Sequence, residues 1–186
     1  MISLGYHHSP DEWRLFIDSS KSSLKAVLLH HDNCKPSVPV AYAVGLKESY
    51  KSTEMILNLI SYSLYKWKIC GDLKVISLLL GLQLGYTKYS CFLCLWDSRD
   101  DPRHFIKKSW PTRESFEEGK HNVVHQPLVN PHDVYLPPLH IKLGLMKAFV
   151  RALDTSGTAF QYLKEKFGAH KSIAKLKAGV FIGPEI

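Results

Sequence analysis

Three short apolar runs in quick succession constrain this chain more than any other feature. WRLFIDSS, LKAVLLHH and SVPVAYAVG all fall within residues 13–45 and are separated only by SSKSS and by the polar stretch around Asp32, Asn33 and Pro36. Runs of this length, rich in β-branched and aromatic residues and bounded by turn formers, read as strands. Connections this short join antiparallel neighbours, because a parallel pair needs a crossover of a dozen residues or more. The spacing therefore predicts a three-stranded meander whose last member alternates Val38, Val40, Tyr42 and Val44. The period then changes. In SYKSTEMILNLISYSLYKW the apolar positions Ile56, Leu59, Ile60, Leu64 and Trp67 recur at close to 3.6 residues, which predicts a helix. WKICGD reads as a fourth strand, and LKVISLLLGLQLG as a helix apolar on nearly every side, hence buried, with Gly85 as its stop. The order β-β-β-α-β-α predicts an α+β domain with an RNase H-like mixed sheet, in which the fourth strand joins the first.

Two aspartates stand out in that scheme. Asp18 closes the apolar part of the first strand and Asp72 follows the fourth. In an RNase H-like sheet these strands are neighbours, so the two carboxylates would lie side by side and offer hard oxygen ligands to Mg²⁺ or Mn²⁺. Two such ions can clamp the attacking and leaving oxygens of a phosphodiester. Each aspartate also has a plain structural reading. Asp18 before Ser-Ser can form an Asx-turn, and Asp72 before an apolar helix can be its N-cap.

Residues 86–138 carry Pro, His, Trp and charged residues with no sustained period. Within them Cys91 and Cys94 form a CxxC, the usual half of a tetrahedral Zn²⁺ site. His104, His121, His125, His132 and His140 are available to complete it, led by His104 and His140. A metal would explain how so long an aperiodic stretch is ordered. The same cysteines could instead be a buried strand pair or a redox dithiol. Trp96, Phe105 and Trp110 are expected to pack around this knuckle. Regularity returns with Leu139, Leu143, Met146, Val150 and Leu153 on one helical stripe, and SGTAFQYLKEKFG and SIAKLKAG predict two further short helices. Three segments follow: a core over 1–85, a Cys/His insertion over 86–138 and a helical, basic segment over 139–186.

Charge separates these segments. The chain carries a formal +7, and residues 139–178 alone hold eight Lys or Arg against Asp154 and Glu165. Lys142, Lys147, Arg151, Lys164, Lys166, Lys171, Lys175 and Lys177 suit a polyanion, of which nucleic acid is the commonest, or else form a solvated helix face. No apolar run reaches the roughly 18 residues of a membrane helix, and the first residues lack the apolar core of a secretory leader. The four cysteines, Cys34, Cys70, Cys91 and Cys94, are therefore expected as thiols or metal ligands rather than a disulfide framework.

FIDSSKSSLKAVLLH, ICGDLKVISLLLGLQLGYTKYSCFLCLWDSR, VHQPLVNP and LPPLHIKLGLMKAFV together resemble repetitive, transposon-derived animal proteins, over essentially the whole chain. More distantly the layout is similar to cut-and-paste DDE transposases of the CACTA-like and Kyakuja-Dileera-Zisupton-like groups. The resemblance implies Asp18 and Asp72 as the first two catalytic acids, Cys91 and Cys94 as the motif after the second acid, and His140 as the histidine opening the next helix. It implies metal-dependent cleavage and strand transfer at transposon ends, a nuclear setting, and an oligomer in a full-length protein. The third acid of such a site has no recognisable motif here: Asp154, Glu165 and Glu185 are the acids past residue 150. The chain is thus expected to be a piece of a longer reading frame. The competing expectations are a non-enzymatic, zinc-stabilised nucleic-acid-binding domain and an RNase H-like nuclease unrelated to transposition.

Overall fold

A computed structural model describes residues 9–20, 22–85 and 87–185. The expected lack of a leader at the N-terminus concerns residues outside that set. The chain divides into two compact units, Met1–Leu136 and Pro137–Ile186.

The first unit is built on a four-stranded mixed sheet. Strands β1 (Trp13–Ser19), β2 (Ser23–His30) and β3 (Val38–Val44) form the expected antiparallel meander. β4 (Lys68–Gly71) pairs parallel with β1, so the order is β3-β2-β1-β4. Alternation is strict in the centre: Trp13, Leu15 and Ile17 of β1 and Leu24, Ala26 and Leu28 of β2 are buried on one face. Helices α1 (Tyr50–Leu59), α2 (Tyr62–Tyr65) and α3 (Leu73–Leu79) supply Ile56, Leu57, Tyr62, Val75, Ile76 and Leu79 to the same core.

β3 departs from its expected stripe. Ala26 pairs with Ala41 but Val27 pairs with Pro39, so Val40 is an extra residue. One extra residue moves every later side chain to the opposite face. Val38 and Val40 consequently pack on the core together with Ala41 and Ala43, while Tyr42 and Val44 are exposed.

Both expected helices of this unit are shorter than their apolar patterns. The run over 49–67 breaks at Ser61, which takes φ +55°, and again at Lys66, with φ +50°. Leu59 and Leu64, expected on the buried stripe, face solvent. α3 ends before Gly81 rather than at Gly85. Gly81 has φ +66°, and a Cβ there would lie 2.0 Å from the carbonyl oxygen of His125, so backbone from the later segment occupies the space a longer helix would need. Residues 87–136 are irregular apart from the single turn α4 (Asp101–His104) and a 3-10 turn over Pro131–Asp133, yet Val123 and Val129 enter the main core.

The second unit contains α5 (Pro138–Ala152), α6 (Thr158–Phe167) and α7 (Ile173–Lys177), as the periodicity predicts. Val150, Phe160, Leu163, Leu176 and Phe181 are buried, flanked by Leu143, Met146, Leu153 and Phe167. Leu139, expected on the same stripe, is exposed in the first turn.

Candidate functional site

The ends of β1 and β4 bring together residues from three separate parts of the chain. The parallel ladder runs from Arg14↔Lys68 to Ile17↔Gly71. Asp18 and Asp72 are the residues that directly follow Ile17 and Gly71, immediately past that last pair. Close approach is required here: a Cβ on Gly71 would lie 2.9 Å from the carbonyl oxygen of Ile17 and 2.8 Å from Val75 Cγ1.

The two aspartates then differ. Asp18 is still in strand, exposed, opposite Lys25 of β2, and alternates to the face away from Ile17 and Ser19. It is therefore not a turn residue. Asp72 caps α3, its Oδ1 accepting from the backbone N–H of Val75 at 2.7 Å. Such a cap contributes about 1 kcal/mol.

Asp72 also lines a recess of about 420 Å³ with Ser19, Ser20, Lys47, Glu48 and Lys74. Glu48 is the residue the motif analysis missed. It directly precedes Ser49, the N-cap of α1, and the start of that helix is fixed by a reciprocal cap. Ser49 Oγ accepts from Ser52 N at 3.1 Å and Ser52 Oγ accepts from Ser49 N at 2.9 Å. The Ser52 hydroxyl further donates to the carbonyl of Lys47 at 2.8 Å. With its backbone so held, Glu48 directs its side chain into the recess, where only 9% of it is exposed. Ser19 Oγ donates to Glu48 Oε1 at 2.5 Å, and Lys74 Nζ pairs with Oε2. The signal was present in the sequence as a glutamate just before a Ser-x-x-Ser helix start, but nothing local marks such a glutamate as special.

The CxxC lies in the irregular stretch. Cys91 Sγ accepts from the Leu93 N–H at 3.4 Å, and burial together with the neighbouring Cys91 holds the Cys94 thiol above its ordinary value. Arg113 is the second residue that sequence reasoning missed. It is buried, and its guanidinium donates to three carbonyls: Cys91 at 3.0 Å from Nε, His121 at 3.1 Å from Nη1 and Tyr89 at 2.9 Å from Nη2. Burial lowers its pKa, partly offset by the two cysteines. One side chain thus ties the backbone at Tyr89 and Cys91 to that at His121.

The histidines are dispersed. His104 Nε2 lies 2.6 Å from the carbonyl of Asp97 and its ring stacks on Trp96 at 4.8 Å, with Trp110 edge-on. Phe105 is exposed, away from the packing expected of it. His121 meets the Tyr89 ring edge-on, and His125 packs tilted against the Tyr50 ring. His140 is exposed on the first turn of α5 in the second unit. Among the described residues, no three His, Cys, Asp or Glu side chains converge closely enough to hold a metal ion.

On the second unit, Lys142, Lys147, Arg151, Lys164, Lys166, Lys175 and Lys177 are exposed. Lys171 is not available in the same way. It is nearly buried, pairs with Glu185 at 2.7 Å and lies over the Phe181 ring. Two of the acids past residue 150 are likewise committed locally: Glu185 to Lys171, and Asp154 to the N–H and hydroxyl of Ser156 at 2.9 and 2.7 Å.

These features define a mixed α+β protein with an open four-stranded sheet and a polar recess at the carboxyl ends of its parallel pair. The chain belongs to the family described as Domain of unknown function (DUF8703), whose model matches residues 1–129, and residues 138–186 match Domain of unknown function (DUF8704). No curated protein and no solved structure matches it. Among the described residues, no helix is long and apolar enough to cross a membrane.

Proposed function

We propose that this chain is the RNase H-like core of a transposon-derived, DDE transposase-like protein that acts on DNA phosphodiesters. One observation carries the reading: the strand order β3-β2-β1-β4, with β4 parallel to β1 in a register that sets Asp18 and Asp72 immediately past the last ladder pair. On this reading carboxylates at the carboxyl ends of adjacent parallel strands would serve a polyanionic substrate through Mg²⁺ or Mn²⁺, whose contribution when bound would be to stabilise charge on the phosphoryl oxygens. Among the described residues the acids do not form a metal cage. The exposed Lys142, Lys147, Arg151, Lys164, Lys166, Lys175 and Lys177 would contact phosphates, and affinity for DNA would fall steeply with salt. Cys91 and Cys94 would form half of a structural Zn²⁺ site. Nuclear residence and self-association belong to the same proposal.

A second reading is favoured by the exposed basic residues of the second unit: a non-enzymatic, zinc-stabilised nucleic-acid-binding domain that retains the scaffold. Incubating the protein with plasmid DNA and Mn²⁺ separates the two. The transposase-like reading expects nicking that is lost in Asp18→Asn and Asp72→Asn. Salt-sensitive binding without nicking supports the second reading, and unchanged nicking in both variants removes the aspartates from the site.

A further inference from the structure

The turn that ends α4 holds two large apolar side chains in water. Phe105 is 94% exposed and Ile106 78%, more than any other large hydrophobic residue among those described. Their backbone is nevertheless fixed. The N–H groups of Ile106 and Lys107 both donate to the carbonyl of Arg103, at 3.1 and 2.7 Å. Arg103 pairs with Asp100, and His104 is anchored between the Asp97 carbonyl and the Trp96 ring. Lys107 lies 4.1 Å over the Trp110 ring. The residues on either side of the pair are thus tied down, while the pair itself is presented outward. Folding gains nothing from a phenyl ring left hydrated, because its apolar area is not removed from water. The charge left over nearby is positive. Asp97 pairs with Lys88, Asp100 with Arg103, and Asp101 faces His104 at 3.5 Å. Arg99 and Lys108, a few residues to either side of the pair, are exposed.

Size decides which partner such a tip can serve. A stable protein–protein interface buries about 1,200 Å² or more, and a small apolar anchor holds a lipid surface only marginally. Two side chains fall far short of either. A nucleic-acid duplex asks for no more than this. One Phe or Ile inserted at a base step unstacks it, and an aromatic ring offers any base a stacking face. We infer that Phe105, with Ile106 beside it, is a wedge that stacks against an unpaired or unstacked base of DNA, and that Arg99 and Lys108 meet the flanking phosphates. The inference rests on the reading that the chain acts on DNA and deepens it by naming the substrate class: a duplex opened, or readily opened, at one step. A mismatched step costs less to open than a paired one. The wedge therefore discriminates by the energy of unstacking, whereas the cations only position the backbone.

The test is titration of the whole 186-residue chain into two short DNA duplexes that share a central fluorescent adenine analogue. One duplex is paired throughout and the other is mismatched at its centre. The parent should bind the mismatched duplex about tenfold more tightly and change its fluorescence. Phe105→Ala should lose that preference, and Phe105→Trp, which keeps a stacking face, should retain it. The side chain is in water in the free protein, so neither variant endangers the fold. Lys142→Gln combined with Lys147→Gln should weaken binding to both duplexes alike and leave the preference standing. A parent that binds both duplexes within about twofold overturns the inference while the proposed function stands. A preference that survives in Phe105→Ala does the same. Binding to neither duplex removes the DNA reading and the inference with it. Vesicles of phosphatidylserine and phosphatidylcholine supply the last arm. Vesicle binding that is lost in Phe105→Ala, with no mismatch preference, assigns the tip to a lipid surface and overturns the inference.

Discussion

The sheet and the irregular stretch that follows it share one hydrophobic core but are held by different physics. Over 13–85, order comes from repetition: ladders of backbone hydrogen bonds and alternating buried side chains, with Trp13, Leu15, Ile17, Leu24 and Ile69 essentially inaccessible to water. Over 87–136, order comes from single contacts. Arg113 collects three carbonyls, while isolated bridges join Leu82 to Val123 and Cys94 to Thr112. Gly81 O accepts from the N–H groups of Val124 and His125 at 2.8 and 3.1 Å. A repeated contact tolerates the loss of one member, and a single contact does not. The lesson is that the aperiodic half need not be loosely structured, but it is vulnerable at identifiable points.

The sharpest way to break that contrast is a pair of substitutions. Leu15→Ala, at a fully buried position in β1, should cost about 2–5 kcal/mol and lower the unfolding midpoint of both regions together, because they share the core. Arg113→Met should cost about 3 kcal/mol by leaving buried carbonyls without donors. Its effect should be local: amide exchange should accelerate across 87–136 first, with β1 and β2 still protected. Equal acceleration in the sheet would show that the two regions are one cooperative unit.

Acid provides a milder probe. Asp97 and Glu117 both lie in the irregular stretch. Burial pushes the Asp97 carboxyl up, but the Arg99 amide and the Lys88 ammonium outweigh it and hold the net value below the ordinary 3.8. Lys120 holds Glu117 below its ordinary 4.5. A carboxylate with a depressed folded value binds fewer protons folded than unfolded, so its stabilisation is complete above the ordinary value and is lost as pH falls through the folded one. Hydrogen exchange compared at pH 6 and at about pH 3 should therefore show loosening in 87–136 before the sheet. The size of this difference should be smaller than that of either substitution, and raising the salt concentration should diminish it.

Much of the first unit was legible in the residues. Period-two runs separated by turn formers are a local signal, and β1, β2 and β4 fall where those runs lie. The helical stripes of α5 to α7 were equally plain. Asp72 was readable as an N-cap because capping needs only the next three residues. The cores of α1 and α3 were legible, but their ends were not. Ser61 and Gly81 adopt left-handed backbone conformations that answer to packing, and in the case of Gly81 to the carbonyl of His125, more than forty residues away in the chain.

The candidate site divides along the same line. The sequence by itself placed Asp18 and Asp72 at the ends of two strands and predicted that those strands are neighbours, since strand order follows from a β-β-β-α-β succession and the short reach of its connections. Tertiary structure decided the rest. An extra residue at Val40 turned the later part of β3 over, and Asp18 and Asp72 took different surroundings. Lys171 was drawn into an ion pair. Glu48 was brought against Ser19 and Lys74, across 29 and 26 residues of chain. The physical reason is common to all four. Periodicity and capping are settled within a turn or two of backbone. The partner of a buried charge, or the face of an edge strand, is set by whichever distant groups the folded core brings within hydrogen-bond reach.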